Sequence, residues 1–500
     1  MKRPAEVVRA ATSAVREHFA AIANQSERTL LLGTVLLATS LSAVTGFVLA
    51  QYFSLDVLSS LIFVPDDCPP DWTMHVGRHC FSDYGMPAIG AKLPNPWEAH
   101  PPPLQGHPSH VPGPSSYPAA GLLPQRTFGL LGEWLHAPLV GLFGYLLVLV
   151  IAVFTPAVWA ARGARGLERV VVFVACGIAA IPAWMVIDRG NSAGFVVPIA
   201  LVFLLALCRR RWVLVTIMAV LAALVKPQFA VLGVALFAAR QWRLGGIAVV
   251  GVVVSNVAAY LLWPRDFPET IVQSIGNVLG YGSFKALTGL NASFGRALLL
   301  IPDNIKAAAA GGKIPAGFLQ GPRSLIGYVV LVLVVVSVLA LGRRIPPVLV
   351  GVMLLATASL FPAVNVPYYL VFALPVAALV VRDPDGPPGT GIFDRPATVG
   401  GRRRAVGVCV SLAAAFSIAH IVVPSPPVRW EMVGPLEQVG SFVIPDRLLV
   451  VTTMVYVPLF WLVACGAIIV SYARRPALSH RTGQAPAREN LPGYCCQERI

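Results

Sequence analysis

An all-α, polytopic membrane fold is predicted by three features of this chain. Apolar residues make up 56% of the 500 positions and charged ones only 12%, with a mean hydropathy of +0.72. The apolar residues gather in blocks of about 15 to 25, the length a helix needs to cross a bilayer. Lys and Arg, 38 against 23 Asp and Glu, cluster between those blocks, at "MKR" with Arg9, Arg16 and Arg28, then at "RGARGLER", "RRR", "RQWR", Arg343 and Arg344, "GRRRA" and "YARR". The formal charge of +15 therefore marks cytoplasmic loops, as the positive-inside rule expects, and not a nucleic-acid surface.

Each element follows in order. Residues 1–28 are a polar, cytoplasmic start, and the run Thr29–Phe53 is too long for a signal-peptide core, so it is retained as the first membrane helix. Further spans are predicted at Ala137–Ala161, Val170–Ile187, Ala193–Cys208, Leu244–Trp263, Leu325–Leu341, Pro347–Leu360, Tyr368–Val381, Ala405–Val423 and Leu448–Tyr472. That makes about ten crossings with both termini cytoplasmic, a membrane domain over 29–472 and a cytoplasmic tail over 473–500. The stretch "WVLVTIMAVLAALVKPQFAVLGVALFAA" has basic flags at both ends; as one helix it would run about 42 Å, long for one span and short for two. It reads as a hairpin of two short helices with "KPQ" at the turn, which carries Lys226 to the tip.

The long polar segments fall outside, at 54–136, 264–324 and 424–447. The first opens with "LDVLSSLIFV", a short interfacial helix, and its tail "EAHPPPLQGHPSHVPGPSSYPAAG" is expected to be irregular. The inner loop "RDPDGPPGTGIFDRPATVGGRRR" and the tail after Arg475 read as flexible and solvated. Cys176, Cys208, Cys409 and Cys465 sit in apolar spans as packing residues. Only Cys68 and Cys80 share an outer loop, so a disulfide can brace the acidic segment if geometry permits.

Several chemistries are set aside. "GGKI" lacks the spacing and the hydroxyl residue of a phosphate-binding loop, which argues against nucleotide use. His75, His79 and Cys80 have helical spacing, but the Pro-rich surroundings fix no ligand geometry, and they read as incidental loop residues. No cofactor is required by the sequence, which is silent on a divalent metal.

Polar groups concentrate on the outer side instead. Asp66, Asp67 and Asp71 lie in "VPDDCPPDW" just past the first span, and the topology places "DRGN" (Asp188–Asn191), "NASF" (from Asn291) and "NVPYY" (through Tyr369) on the same face. Lys226 approaches from below. A carboxylate able to accept a proton from a hydroxyl, near cations able to hold a departing phosphate, meets the needs of displacing a phosphate ester from a membrane-borne carrier.

These residues carry a resemblance. "VKPQFAVLGVALFAARQWR" resembles the Lys-Pro-Gln stretch of actinobacterial polyprenyl-phosphate-sugar glycosyltransferases of the GT-C superfamily, the α-mannosyltransferases and α-arabinofuranosyltransferases of envelope lipoglycans. "PDDC" with Trp72, "NPW", "SSYPAAGLL", "DRGNSAG", "NASFG" and "FPAVNVPYYLVFALP" occur in the family's order, over about Asp66 to Val381. The chain departs in having "YPA" for Tyr-Pro-Pro and a longer first loop.

The resemblance implies a GT-C fold and transfer of a mannosyl, other hexosyl or arabinofuranosyl group from a polyprenyl phosphate. The acceptor is an envelope glycan or glycolipid on the outer face of the plasma membrane. It implies an inverting displacement with Asp67 as general base, Asp66 and Asp71 being alternatives. Lys226 and Arg189 then meet the phosphate, and Trp72, Tyr117, Asn191, Asn291 and Tyr368 line the sugar and acceptor sites. Two other readings stay open: a transporter or flippase of lipid-linked sugars, and a non-catalytic scaffold of envelope assembly.

Overall fold

The structure, a computed structural model, describes residues 25–54, 57, 79, 81–98, 114–280, 291–309, 313–314, 322–396, 398–401, 403–424, 431–432 and 449–474. The described chain is helical apart from two short strand pairings.

Helix α1 (Glu27–Phe53) is capped by Ser26, whose hydroxyl accepts from the Thr29 amide. The segment after α1 contributes α2 (Ser82–Gly90) and α3 (Ala119–Trp134), followed by α4 (Pro138–Ala161). Next come α5 (Leu167–Phe173), running into a π turn, and α6 (Ile181–Arg189). Then come α7 (Ala193–Cys208), α8 (Trp212–Val225), a 3-10 turn at Pro227–Gly233, α9 (Val234–Ala238) and α10 (Trp242–Tyr260). The segment after α10 holds α11 (Glu269–Gly280), α12 (Phe294–Leu298), α13 (Leu300–Ala309) and β1 (Lys313–Ile314). After these run α14 (Pro322–Leu341), α15 (Pro347–Leu360), a 3-10 turn at Pro367–Phe372, α16 (Ala373–Val381) and α17 (Arg404–Ile418). The chain ends in β2 (Val422–Pro424), β3 (Glu431–Met432), β4 (Leu449–Val451) and α18 (Thr452–Ala473). Strand β1 pairs in parallel with β3, and β2 antiparallel with β4.

Among the described residues five helices are long and apolar enough to cross a membrane, and six spans result if the bent pair Leu167–Ile178 and Ile181–Arg189 counts as one. Their outward faces are apolar, with Leu37, Phe47, Leu147, Ile151, Val250 and Leu333 all exposed, which suits lipid and not water. At the centre α15 buries every residue from Val348 to Leu360, the pattern of a helix surrounded by others.

The other predicted spans correspond to helices that are shorter or interrupted. Val170–Ile187 is bent by 48° at Ala179–Ala180, next to a π turn, a common site of sharp kinks. The "KPQ" stretch breaks as expected. Pro227 forces the preceding Lys226 out of the helical region, to φ −144° and ψ 114°, and the limbs on either side pack together and against α10. The span expected over Ala405–Val423 ends as helix at Ile418 and continues into β2, and that over Leu448–Tyr472 begins as β4.

One expectation is overturned. The inner loop does not behave as a solvated segment, because Ile392, Phe393, Val399 and Asp383 are buried. The arginines that flank it act as staples. The Arg28 guanidinium donates to the Gly389 carbonyl at 3.0 Å, Arg209 reaches Asp385 at 2.9 Å and the Pro384 carbonyl at 3.1 Å, and Arg395 pairs with Asp383 at 3.4 Å. Arg382 donates to the Trp159 carbonyl and lies over its ring at 4.6 Å. Composition alone reads such a loop as polar; its few apolar residues and many backbone acceptors give it a fold. The tail after Arg475 and the "LDVLSSLIFV" segment, Val57 apart, lie outside the described residues.

Candidate functional site

The turn "DRGN" organises the site. Gly190 ends α6 at φ 64°, a conformation that costs an L side chain. The Asn191 amide then bonds back to the Val186 carbonyl at 3.0 Å, a Schellman closure. The Tyr145 hydroxyl donates to the Gly190 carbonyl at 2.9 Å. Asn191, fully buried, is divided between two tasks: its Oδ1 accepts from the Ala193 amide at the start of α7, and its Nδ2 donates to Asp83 Oδ2 at 2.8 Å.

Asp83, in the first turn of α2, also meets the Arg189 guanidinium at 3.4 Å. Both contacts converge on Oδ2, so Oδ1 carries no hydrogen bond among the described residues. A carboxylate held by one oxygen and open at the other, on a side chain 18% exposed, is placed to accept a proton from a bound hydroxyl. Sequence reading passed over Asp83. No local feature of the sequence marks it out, and only the fold brings "DRGN" against it.

Asn191 Nδ2 also lies 3.3 Å from the Tyr117 hydroxyl, and the Tyr117 ring faces the Lys226 ammonium at 4.0 Å. On another side Tyr369 presents its ring to Lys226 at 5.6 Å and leans on Tyr368 at 4.9 Å. Lys226 is 7% exposed, yet among the described residues its ammonium makes no ion pair and no hydrogen bond. Asp83 is the carboxylate whose charge reaches it. A buried cation in an aromatic cage, with no anion bonded to it, is an arrangement suited to receiving one.

The Tyr117 wall is fastened from outside. Trp97 Nε1 donates to the Tyr117 carbonyl at 2.8 Å, and the Trp97 amide is held by Asn95 Oδ1 at 3.0 Å. Trp97 packs on Tyr260 and Trp263 at 4.9 and 5.4 Å, which gives the "NPW" residues a structural role. Gly121 lets α3 approach the Val225 carbonyl, where a Cβ would come within 3.2 Å, just before Lys226.

The remaining predicted residues are distributed as follows. Asn291 ties two loops together: its Nδ2 donates to the Ala363 carbonyl at 2.8 Å, and its Oδ1 accepts from the Ser293 and Asn365 amides, each at 3.0 Å. It thereby sets the path of "NVPYY" and hence the position of Tyr369. Arg189 is engaged with Asp83 and Tyr368 is buried beside Tyr369. His79 lies within 2.5 Å of Asp188 through Nδ1 and stacks over Phe81. No group of three metal-ligating side chains occurs among the described residues. Asp66, Asp67, Asp71, Trp72, Cys68 and Cys80 lie outside the described residues.

Gly190 offers a direct check of this assembly. A Cβ there would stand 2.8 Å from Tyr84 Cβ and would sit at positive φ. Gly190→Ala is expected to destabilise by about 2 kcal/mol or more, read as a lowered midpoint of thermal unfolding in detergent. An unchanged midpoint would mean that α2 is not seated on this turn.

A small apolar crevice of about 10 Å³, room for a single water, borders the cage, lined by residues of α7 together with Phe229, Tyr369 and Phe372. No family model and no curated protein matches the chain. The functional reading therefore rests on the site itself: a half-held carboxylate and a caged ammonium, linked through Asn191 and Tyr117.

Proposed function

We propose that the chain is a membrane glycosyltransferase that moves a sugar, mannosyl, other hexosyl or arabinofuranosyl, from a polyprenyl phosphate to an envelope glycan or glycolipid. It crosses the plasma membrane about ten times with both termini in the cytoplasm, and the site faces outward. The observation that carries the reading is Lys226, a buried ammonium with two tyrosine faces and no bonded anion among the described residues.

In the reaction the acceptor oxygen attacks the anomeric carbon, and the bond from that carbon to the phosphate oxygen breaks with inversion. The acceptor proton passes to Asp83 Oδ1, and the electron pair of the broken bond stays on the phosphate. Lys226 neutralises the charge that develops there, and stabilisation of that kind acts most strongly where water is excluded. Asp83 replaces Asp67 as the preferred base because Arg189 and Asn191 fix it in place.

The test uses the full chain in lipid nanodiscs with an envelope glycolipid extract and, separately, radiolabelled polyprenyl-phosphate mannose and arabinose. Transfer from one donor establishes the activity and the sugar. Two interrupted spans, bent at Ala179–Ala180 and broken at Lys226, favour one other reading, a transporter of lipid-linked sugars. In sealed vesicles that reading requires labelled donor to cross the bilayer intact, with no glycosidic product.

A further inference from the structure

Helix α11 (Glu269–Gly280) is packed with most of its polar residues inward, beside Ile271, which joins the Trp97–Trp263 cluster. Thr270 and Ser274 are 0% and 1% exposed, whereas Val272, Ile275 and Val278 are 70%, 55% and 45% exposed. At about 100° per residue Val272 and Ile275 lie roughly 100–160° round the helix from Thr270 and Ser274, with Val278 at the border between the two sets, so this is an amphipathic helix turned the wrong way round for water. The polar face has partners: the Asn277 side chain donates to the carbonyls of Trp97 and Ser115 at 3.0 and 3.2 Å, and Gln273 accepts from Asn95 at 3.0 Å, as does Asp266 just before the helix at 3.1 Å.

The apolar face follows closely in the chain on a helix long and apolar enough to cross a membrane. Helix α10 is one of the five membrane-length helices and exposes Val249, Val250, Val253, Val254 and Val257. Exposed apolar residues recur through Leu261, Leu262 and Phe267 to Val272, with the exposed charges Arg265, Asp266 and Glu269 between them. On the same segment α13 exposes Ile301 and Ile305, four residues apart on one face.

We infer that α11 lies in the lipid–water interface on the Lys226 side of the membrane, with Val272, Ile275 and Val278 in the acyl boundary. Its polar face clamps the Trp97–Tyr117 wall of the site to the bilayer surface. The partner is the lipid itself. Glu269 is the only charged residue on the helix, so burial of apolar surface and not attraction to anionic headgroups holds it there. Bonds from Asn277 to Trp97, and from Trp97 to Tyr117, then fix the height of the caged lysine relative to the headgroups. This placement stands whether or not the site transfers sugar.

The experiment incorporates a fluorescent amino acid singly at positions 272, 275 and 278 of the full chain in nanodiscs. Each labelled protein is checked for an unchanged thermal midpoint. Because the three side chains point outward, the label leaves Asn277 and Gln273 in place. Lipids carrying a shallow nitroxide are expected to quench at least two of the three positions about fivefold more than aqueous iodide does. Stronger quenching by iodide would put the face in water, and protection from both quenchers would put it against a protein surface. Either result overturns the inference.

Discussion

Replacing Asp83 by Asn is expected to lower sugar transfer by about 10²-fold or more per folded molecule, the scale of a lost general base. The substitution preserves shape but removes the charge that Arg189 faces across 3.4 Å, so some loss of stability accompanies it. The rate is therefore normalised to the monodisperse fraction. A structural counterion predicts a normalised rate close to wild type, and that outcome would sink the assignment. Asp67→Asn measured alongside separates the two acids: a collapse there, with Asp83→Asn active, would return the base to the acidic segment Asp66–Asp71.

Which parts of this molecule can be read from sequence follows from where the information lies. The span positions depend on composition within single segments, and Pro138–Ala161, Ala193–Cys208 and Pro347–Leu360 are found as helices close to where the apolar blocks place them. The break at Lys226 is equally local, since a proline restricts the residue before it. Asp83 is different: nothing near it marks it out, and its distinction arises from Arg189 and Asn191, more than 100 positions away.

The same distinction explains the inner loop and α11. Residues 382–403 are polar by count, and their order comes from arginines on other helices, Arg28 and Arg209. The amphipathic period of α11 is written in its sequence, but the choice of inward face is not. That choice was made by Asn95 and by the Trp97 and Ser115 carbonyls, which offer the polar side its hydrogen-bond partners. Sequence gives the period of such a helix, and its partners give the orientation.

Lys226→Met is expected to change activity and stability in opposite directions. Methionine matches the length of the lysine stem and makes favourable contacts with aromatic rings, so it fits between Tyr117 and Tyr369. Removing a buried ammonium that no described residue pairs relieves a desolvation cost that two cation–π contacts only partly offset. Unfolding stability should therefore rise by about 1–3 kcal/mol, seen as a higher thermal midpoint in detergent. Transfer should fall by about 10²-fold in kcat/KM, because the leaving phosphate loses its cation at the point where charge develops. Lys226→Arg, which keeps the charge but replaces a compact ammonium with a planar fork, should lie between. A lysine that only caps a broken helix predicts the reverse pair: lowered stability in Lys226→Met and transfer that follows the folded fraction. The two signs together thus decide whether the cage is kept for binding an anion at the expense of the fold.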